Sequence, residues 1–370
     1  MNDQTTGIAD PLFSSRPLTR ISESHWSILA GVRFVLATIV ALAHYRWYIP
    51  TFDSAVSRVA VQFSPLTAVF GFLLISGFSM AHSTGKLRGF YGRRLARIWP
   101  SLAFAVALNV MLAALQGQQA FVWTSALATL LCLNGFVVPT WIGVTWSLSV
   151  EVFFYVLAPL VRNSSTLILG IAISISAVIY CMADRSLAVP TIITAPYGLA
   201  AGCLFWAWGS GFMAYRARRH IIMPILPLIF GEAVIFLHDP GGEPYWAATW
   251  CLVCAAIAAG GAIELPIFWR RLFNYLGDIS YPVYLLHTGV YGLLKMAGIF
   301  GWEIAVPVVL LASAACYHAV DFPFRKALAK SAILQKNIEK FAPHIAAGWI
   351  ALTAIAAALN NLPFLTSILR

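Results

Sequence analysis

Arg33 and His44 stand eleven positions apart in a run that is otherwise almost wholly apolar, Ile28 to His44. Eleven helical steps make about three turns plus about 20° and rise about 16 Å, so both side chains project from one face of one helix. A neutral imidazole is the usual general base near neutral pH, with a reference pKa of about 6.5. A guanidinium keeps its charge and holds anionic or polarised oxygen instead of moving protons. Ionisable groups at bilayer depth face a partner or a wet cavity, which makes the pair a candidate functional site. The structural alternative is that Arg33 snorkels to the interface while His44 satisfies a neighbouring helix.

Three further sets of residues invite the same question. Lys86, Arg88, Arg93, Arg94 and Arg97 lie within twelve positions, and Arg94 and Arg97 share a face if the segment is helical. Such a cluster either clamps a phosphorylated metabolite or serves as a stop-transfer signal against lipid headgroups. Ser147, Glu151 and Tyr155 fall at i, i+4 and i+8, one helix face. Glu151 there either pairs with a cation or orients an imidazole. Ser280, Tyr284 and His287 form another stripe, which reads first as interhelical hydrogen bonding. Tyr317 with Asp321-Phe322-Pro323-Phe324-Arg325 reads as a helix leaving the membrane.

The elements that must position these groups are set by composition. A mean hydropathy of +0.80, with 60% hydrophobic and 10% charged residues, excludes a soluble domain of this length. Apolar stretches long enough to cross a bilayer recur along the chain. We expect an all-α integral membrane protein, a polytopic bundle of about 10–11 transmembrane helices. The expected spans are 27–48, 59–82, 99–118, 146–161, 165–183, 196–215, 221–237, 246–263, 276–296, 303–320 and a further one at 345–362. Residues 1–24 are expected as a cytoplasmic tail rather than a cleavable signal. Residues 25–330 form the membrane domain, and 331–370 a cytoplasmic segment with an additional C-terminal span.

With the N-terminus in the cytoplasm, Arg16, Arg20, the 86–97 cluster, Arg162, Arg216, Arg218, Arg219, Arg270, Arg271 and the basic run from Arg325 to Lys340 all fall inside. Only Arg46, Arg58, Arg185, Lys295 and Arg370 fall outside, which is the positive-inside signature. Counting 121–138 as a crossing would reverse every later basic loop, so that segment is expected to be re-entrant or interfacial. The net charge of +10 is therefore read as membrane orientation rather than nucleic-acid binding. The six cysteines fall mostly in apolar runs, and Cys251-x-x-Cys254 lacks the second pair of a metal site. No metal ligand set and no internal repeat are expected.

In this order these segments resemble acyltransferase family 3, the integral-membrane O-acyltransferases of bacteria. The likeness lies in Arg33-x10-His44, Ile75-Ser76-Gly77-Phe78, Arg94-x-x-Arg97, Trp146-Ser147-Leu148-Ser149-Val150-Glu151, Leu276-Gly277-Asp278-Ile279-Ser280-Tyr281 and Asp321-Phe322-Pro323. It runs from about residue 24 to 330. One departure is Ala30, where the family commonly carries an acidic residue beside Gly31. Another is Val152-Phe153, in place of a common Glu-Gln.

The resemblance implies ten core spans in a bacterial inner membrane and no tightly bound cofactor. The donor would be acyl-CoA, usually acetyl-CoA, reached from the cytoplasm, and the acceptor a hydroxyl of a carbohydrate or glycolipid. His44 would be the catalytic base or a transient acyl carrier, Glu151 its orienter, and Arg33 a stabiliser of donor or oxyanion charge. Arg93, Arg94 and Arg97 would hold the phosphates of coenzyme A, and Trp146, Ser147 and Tyr155 would contact the acceptor. The pantetheine arm would thread past Arg33 toward His44. Without a hydrolase-like soluble domain, a separate periplasmic transferase is a candidate partner. A transporter or flippase of a polar substrate, and a sensory membrane protein without turnover, are the rival classes.

Overall fold

The computed structural model describes residues 21–46, 48, 62–118, 122–137, 140, 142–186, 199–218, 225–238 and 244–368. The expected N-terminal tail up to residue 20 lies outside them, as do Arg58, Arg219, Arg370 and the turn at 239–243. The described residues contain no β-strand. Helix α1 is Glu23–Tyr45, α2 Pro65–Ser83, α3 Phe90–Leu115, α4 Val122–Leu130, α5 Thr145–Arg162, α6 Thr166–Ser186 and α7 Leu199–Arg216. They are followed by α8 Ile225–His238, α9 Pro244–Ala259, α10 Ile267–Met296, α11 Trp302–Cys316, α12 Phe322–Lys330 and α13 Ala332–Ile368. The protein is thus an all-α membrane bundle. Among the described residues, five helical stretches are by themselves long and apolar enough to cross a bilayer: Glu23–Tyr45, Pro65–Ser83, Phe90–Leu115, Tyr245–Ala262 and Trp302–Lys330.

Local sequence explains where the helices begin. Ser22 caps α1 by accepting from the His25 amide at 3.1 Å, and Ser64 caps α2 by accepting from Thr67. Pro65 then occupies a first-turn position where its missing N–H costs nothing. Three helices begin well before the expected spans. α3 starts at Phe90 and runs through Pro100, so Arg93, Arg94 and Arg97 sit in its first turns rather than in a loop. α10 starts at Ile267, before the first expected residue, because no glycine or proline interrupts 267–276. α13 is one continuous helix, where a cytoplasmic segment and a separate span were expected. Lys, Glu, Gln, Leu and Ala dominate its start, and these are good helix formers.

Segment 122–137 forms a helix of nine residues, a rise of about 14 Å, which is half the hydrocarbon thickness. Cys132 adopts φ 53° and ends it. Trp99 and Trp349 donate indole hydrogens to the carbonyls of Leu130 and Leu131, each at 3.0 Å. Asn134 then donates to Thr129 and Thr145, both at 2.8 Å, pinning the turn to the start of α5.

Two close helix pairs frame the interior. α1 packs along α10, where a Cβ built on Gly277 would lie 2.5 Å from the Ala30 methyl. This contact accounts for the small residue at position 30. α2 packs along α7 through reciprocal glycine contacts. A Cβ on Gly77 would collide with the Trp208 carbonyl, and one on Gly211 with the Leu74 carbonyl. Each glycine thus meets the carbonyl three residues before the other, within two Ser-Gly-Phe triplets, Ser76-Gly77-Phe78 and Ser210-Gly211-Phe212. Small residues at such crossings let backbones approach within the bilayer.

Candidate active site

Between α1, α2, α3, α5 and α10 lies a cleft of about 70 Å³. Arg33, Arg94, Arg97, Glu151, Ser147, Tyr155, Ser280 and Tyr284 all line it, together with Ser76 and Ser79 of α2. Residues scattered over some 250 positions converge because α1–α10 and α2–α7 close the bundle around them. Three guanidinium groups therefore face one cavity whose lining holds a single carboxylate, Glu151.

That carboxylate accepts a short hydrogen bond from the Tyr155 hydroxyl. The i, i+4 spacing on α5 dictates the contact. Arg94 donates to the Ser83 hydroxyl at 2.5 Å, and its guanidinium lies 5.5 Å from the centroid of the Tyr155 ring. Among the described residues, no hydrogen bond or ion pair to a side chain holds Arg33 or Arg97. Positive charge is thus in excess inside the bundle, an arrangement suited to an anionic or polarised-oxygen ligand.

Arg97 also lines a larger recess of about 640 Å³ that opens at the end of the bundle. Arg88, Arg93, Arg325 and Glu339 line it too. Arg93 spends part of its guanidinium on the loop before α3, donating to the Arg88 and Lys86 carbonyls at 2.7 and 2.9 Å. Arg325 is held from behind by Asp321 at 2.6 Å and Asp278 at 3.3 Å, and Tyr317 donates to Asp278 at 3.0 Å. The motif read in sequence as a helix exit therefore fixes a cation at the vestibule wall. A π-helical turn, Tyr317–Asp321, brings Asp321 inward and buries it completely. A third recess of about 270 Å³, mostly apolar, lies among α3, α4, α5 and α13 and shares Arg94 and Tyr155 with the cleft.

At the deep end of the cleft, Ser147 and Tyr284 share a hydrogen bond of 2.6 Å, and Tyr284 donates to the Val144 carbonyl at 3.0 Å. His44 is not among the residues lining this cleft. It lies farther along α1, with its Nδ1 2.9 Å from Nε2 of His287 on α10. The two ring planes are nearly parallel, at 16°, and both side chains are buried. The Tyr284 ring stands between the cleft and this pair, 6.3 Å from the His287 ring.

The structure thus gathers Arg33, Arg94, Arg97, Glu151, Ser147 and Tyr155, places Arg93 in the vestibule, and sets His44 one layer deeper. Trp146 is buried and does not line the cleft. The stripe Ser280-Tyr284-His287, read in sequence as packing, supplies two cleft residues and the partner of His44. Its periodicity was the available signal, and only its partner helix was missing.

A family model described as an acyltransferase domain matches residues 26–318. No curated protein and no solved structure matches the chain.

Proposed function

The chain belongs to acyltransferase family 3 and is a membrane acyltransferase, and on that footing we propose that it moves an acyl group, acetyl in the simplest case, from cytosolic acyl-CoA to a hydroxyl of a carbohydrate or glycolipid. The observation that carries this reading is the excess of guanidinium groups in a cleft that shares Arg97 with a basic vestibule. The phosphates of coenzyme A supply the missing negative charge, with Arg88, Arg93, Arg97 and Arg325 as partners. Arg33 and Arg94 then meet the more deeply inserted part of the donor.

In the transfer itself, the acceptor oxygen attacks the thioester carbonyl while His44 takes its proton. The tetrahedral intermediate collapses, the C–S bond breaks, and the proton passes to the departing thiolate. An acyl-enzyme route through His44 would use the same groups in two steps. Donor and base occupy successive layers, so the thioester reaches His44 by passing the Ser147–Tyr284 hydrogen bond. Glu151, held by Tyr155 and close to the three arginines, sets the charge of the cleft rather than touching the imidazole. We place the basic end in the cytoplasm of a bacterial inner membrane, following the charge asymmetry, with the acceptor approaching from the other side.

The experiment is transfer of label from acetyl-CoA to endogenous glycan in membrane vesicles. Base-labile label on glycan that disappears in His44→Ala vesicles, at equal protein, supports the assignment. Counterflow of a polar solute without ester formation would overturn it in favour of transport.

A further inference from the structure

The geometry around His44 fixes which of its nitrogens can act as a base. His287 Nδ1 lies 3.1 Å from the carbonyl oxygen of Val283, one helical turn earlier. A carbonyl oxygen only accepts, so Nδ1 of His287 carries the hydrogen and Nε2 of the neutral ring carries the lone pair. That Nε2 is the atom 2.9 Å from His44 Nδ1. Nδ1 of His44 must therefore donate, and the lone pair of neutral His44 resides on its Nε2.

We infer that His287 is the positioning residue of the reaction: it holds His44 in the single tautomer and ring orientation that present Nε2 as the base. The inference rests on the general-base role given to His44 above. The logic is that of a carboxylate behind a catalytic histidine, with a backbone carbonyl and a second imidazole in its place. When His44 accepts the acceptor's proton on Nε2, its Nδ1–H bond to His287 becomes charge-assisted and stronger. The His287 Nδ1–H stays on the Val283 carbonyl, so the pair steadies the imidazolium without a carboxylate. Surrounding aromatics fix the rings. Tyr291 donates to the Ala41 carbonyl at 3.1 Å and its ring lies 5.9 Å from His287. His287 itself is wholly buried, so its rotamer has little freedom.

Three variants test this in vesicles supplied with labelled acetyl-CoA over a range of concentrations, with rates expressed per mole of membrane-inserted protein. His287→Gln keeps an acceptor for His44 Nδ1–H and a donor for Val283. His287→Phe fills the space and offers no lone pair. The expected result is a maximal rate about 10²-fold lower for His287→Phe, with the apparent KM for acetyl-CoA unchanged because the arginine cleft is untouched. His287→Gln should recover most of that loss. If His287→Phe does not accumulate, His287→Met serves as the variant without a comparable acceptor. A wild-type rate in the variant lacking an acceptor, or an equal fall in it and in His287→Gln, overturns the positioning role. Label transfer that persists in His44→Ala overturns the base assignment itself, which separates the two failures.

Discussion

Arg33 carries a full charge into the bundle with no carboxylate bonded to it among the described residues, while Glu151 is engaged by Tyr155. The two residues should therefore respond in opposite ways to neutral substitution. Arg33→Met removes a cation that no carboxylate is hydrogen-bonded to, so thermal stability in detergent should stay level or rise, because a charge without a bonded partner is costly to bury. The apparent KM for acyl-CoA should rise at least about tenfold, the effect of losing one charge-assisted contact. Glu151→Gln leaves three guanidinium groups facing one another and weakens the Tyr155 bond, so it should destabilise by about 1–3 kcal/mol. Melting curves of both variants, with and without acyl-CoA, read this directly. A stability loss in Arg33→Met equal to that of Glu151→Gln would show that Arg33 is a structural cation.

At the scale of elements, the α2–α7 crossing holds the cleft wall that carries Ser76 and Ser79. Adding a methyl group at Gly77 drives it into the Trp208 carbonyl, a backbone atom that cannot swing aside. Gly77→Ala should cost about 1–3 kcal/mol, the usual range for overpacking, and should lower activity as the wall shifts. Gly170→Ala on α6 is the control, since nothing lies within 4 Å of the added atom. Its melting temperature should match or slightly exceed wild type, since alanine is the better helix former. Equal effects at both positions would remove the argument that the Ser-Gly-Phe triplets are packing devices.

At the scale of the molecule, one end of the bundle gathers Lys86, Arg88, Arg93, Arg270 and Arg325, with Arg270 paired to Glu23 at 2.9 Å and Arg88 to Glu339 at 3.7 Å. Lys295 lies at the opposite end of α10 from Arg270. On the proposed reading, positive-inside bias puts this end in the cytoplasm. In a cysteine-free background, Lys86→Cys should react with a membrane-impermeant maleimide only after permeabilisation, and Lys295→Cys in intact cells. The reverse pattern would place the vestibule on the wrong side for a cytosolic donor.

Sequence alone determined the fold class, because hydropathy is additive along the chain and a bilayer accepts few backbone solutions. It determined the shared faces of Arg94 with Arg97 and of Ser147, Glu151 and Tyr155, because helical periodicity is local. Helix ends at Phe90, Ile267 and Ala332 escaped it, since a helix does not stop where the membrane does. Only the tertiary structure decided that Arg33 belongs with Glu151 and the arginines of α3, while His44 belongs with His287. The two residues share a face of α1, yet which neighbour each meets depends on what α10 presents at its own level. That register comes from packing at Ala30 and Gly277, a contact between positions almost 250 residues apart that no local pattern encodes.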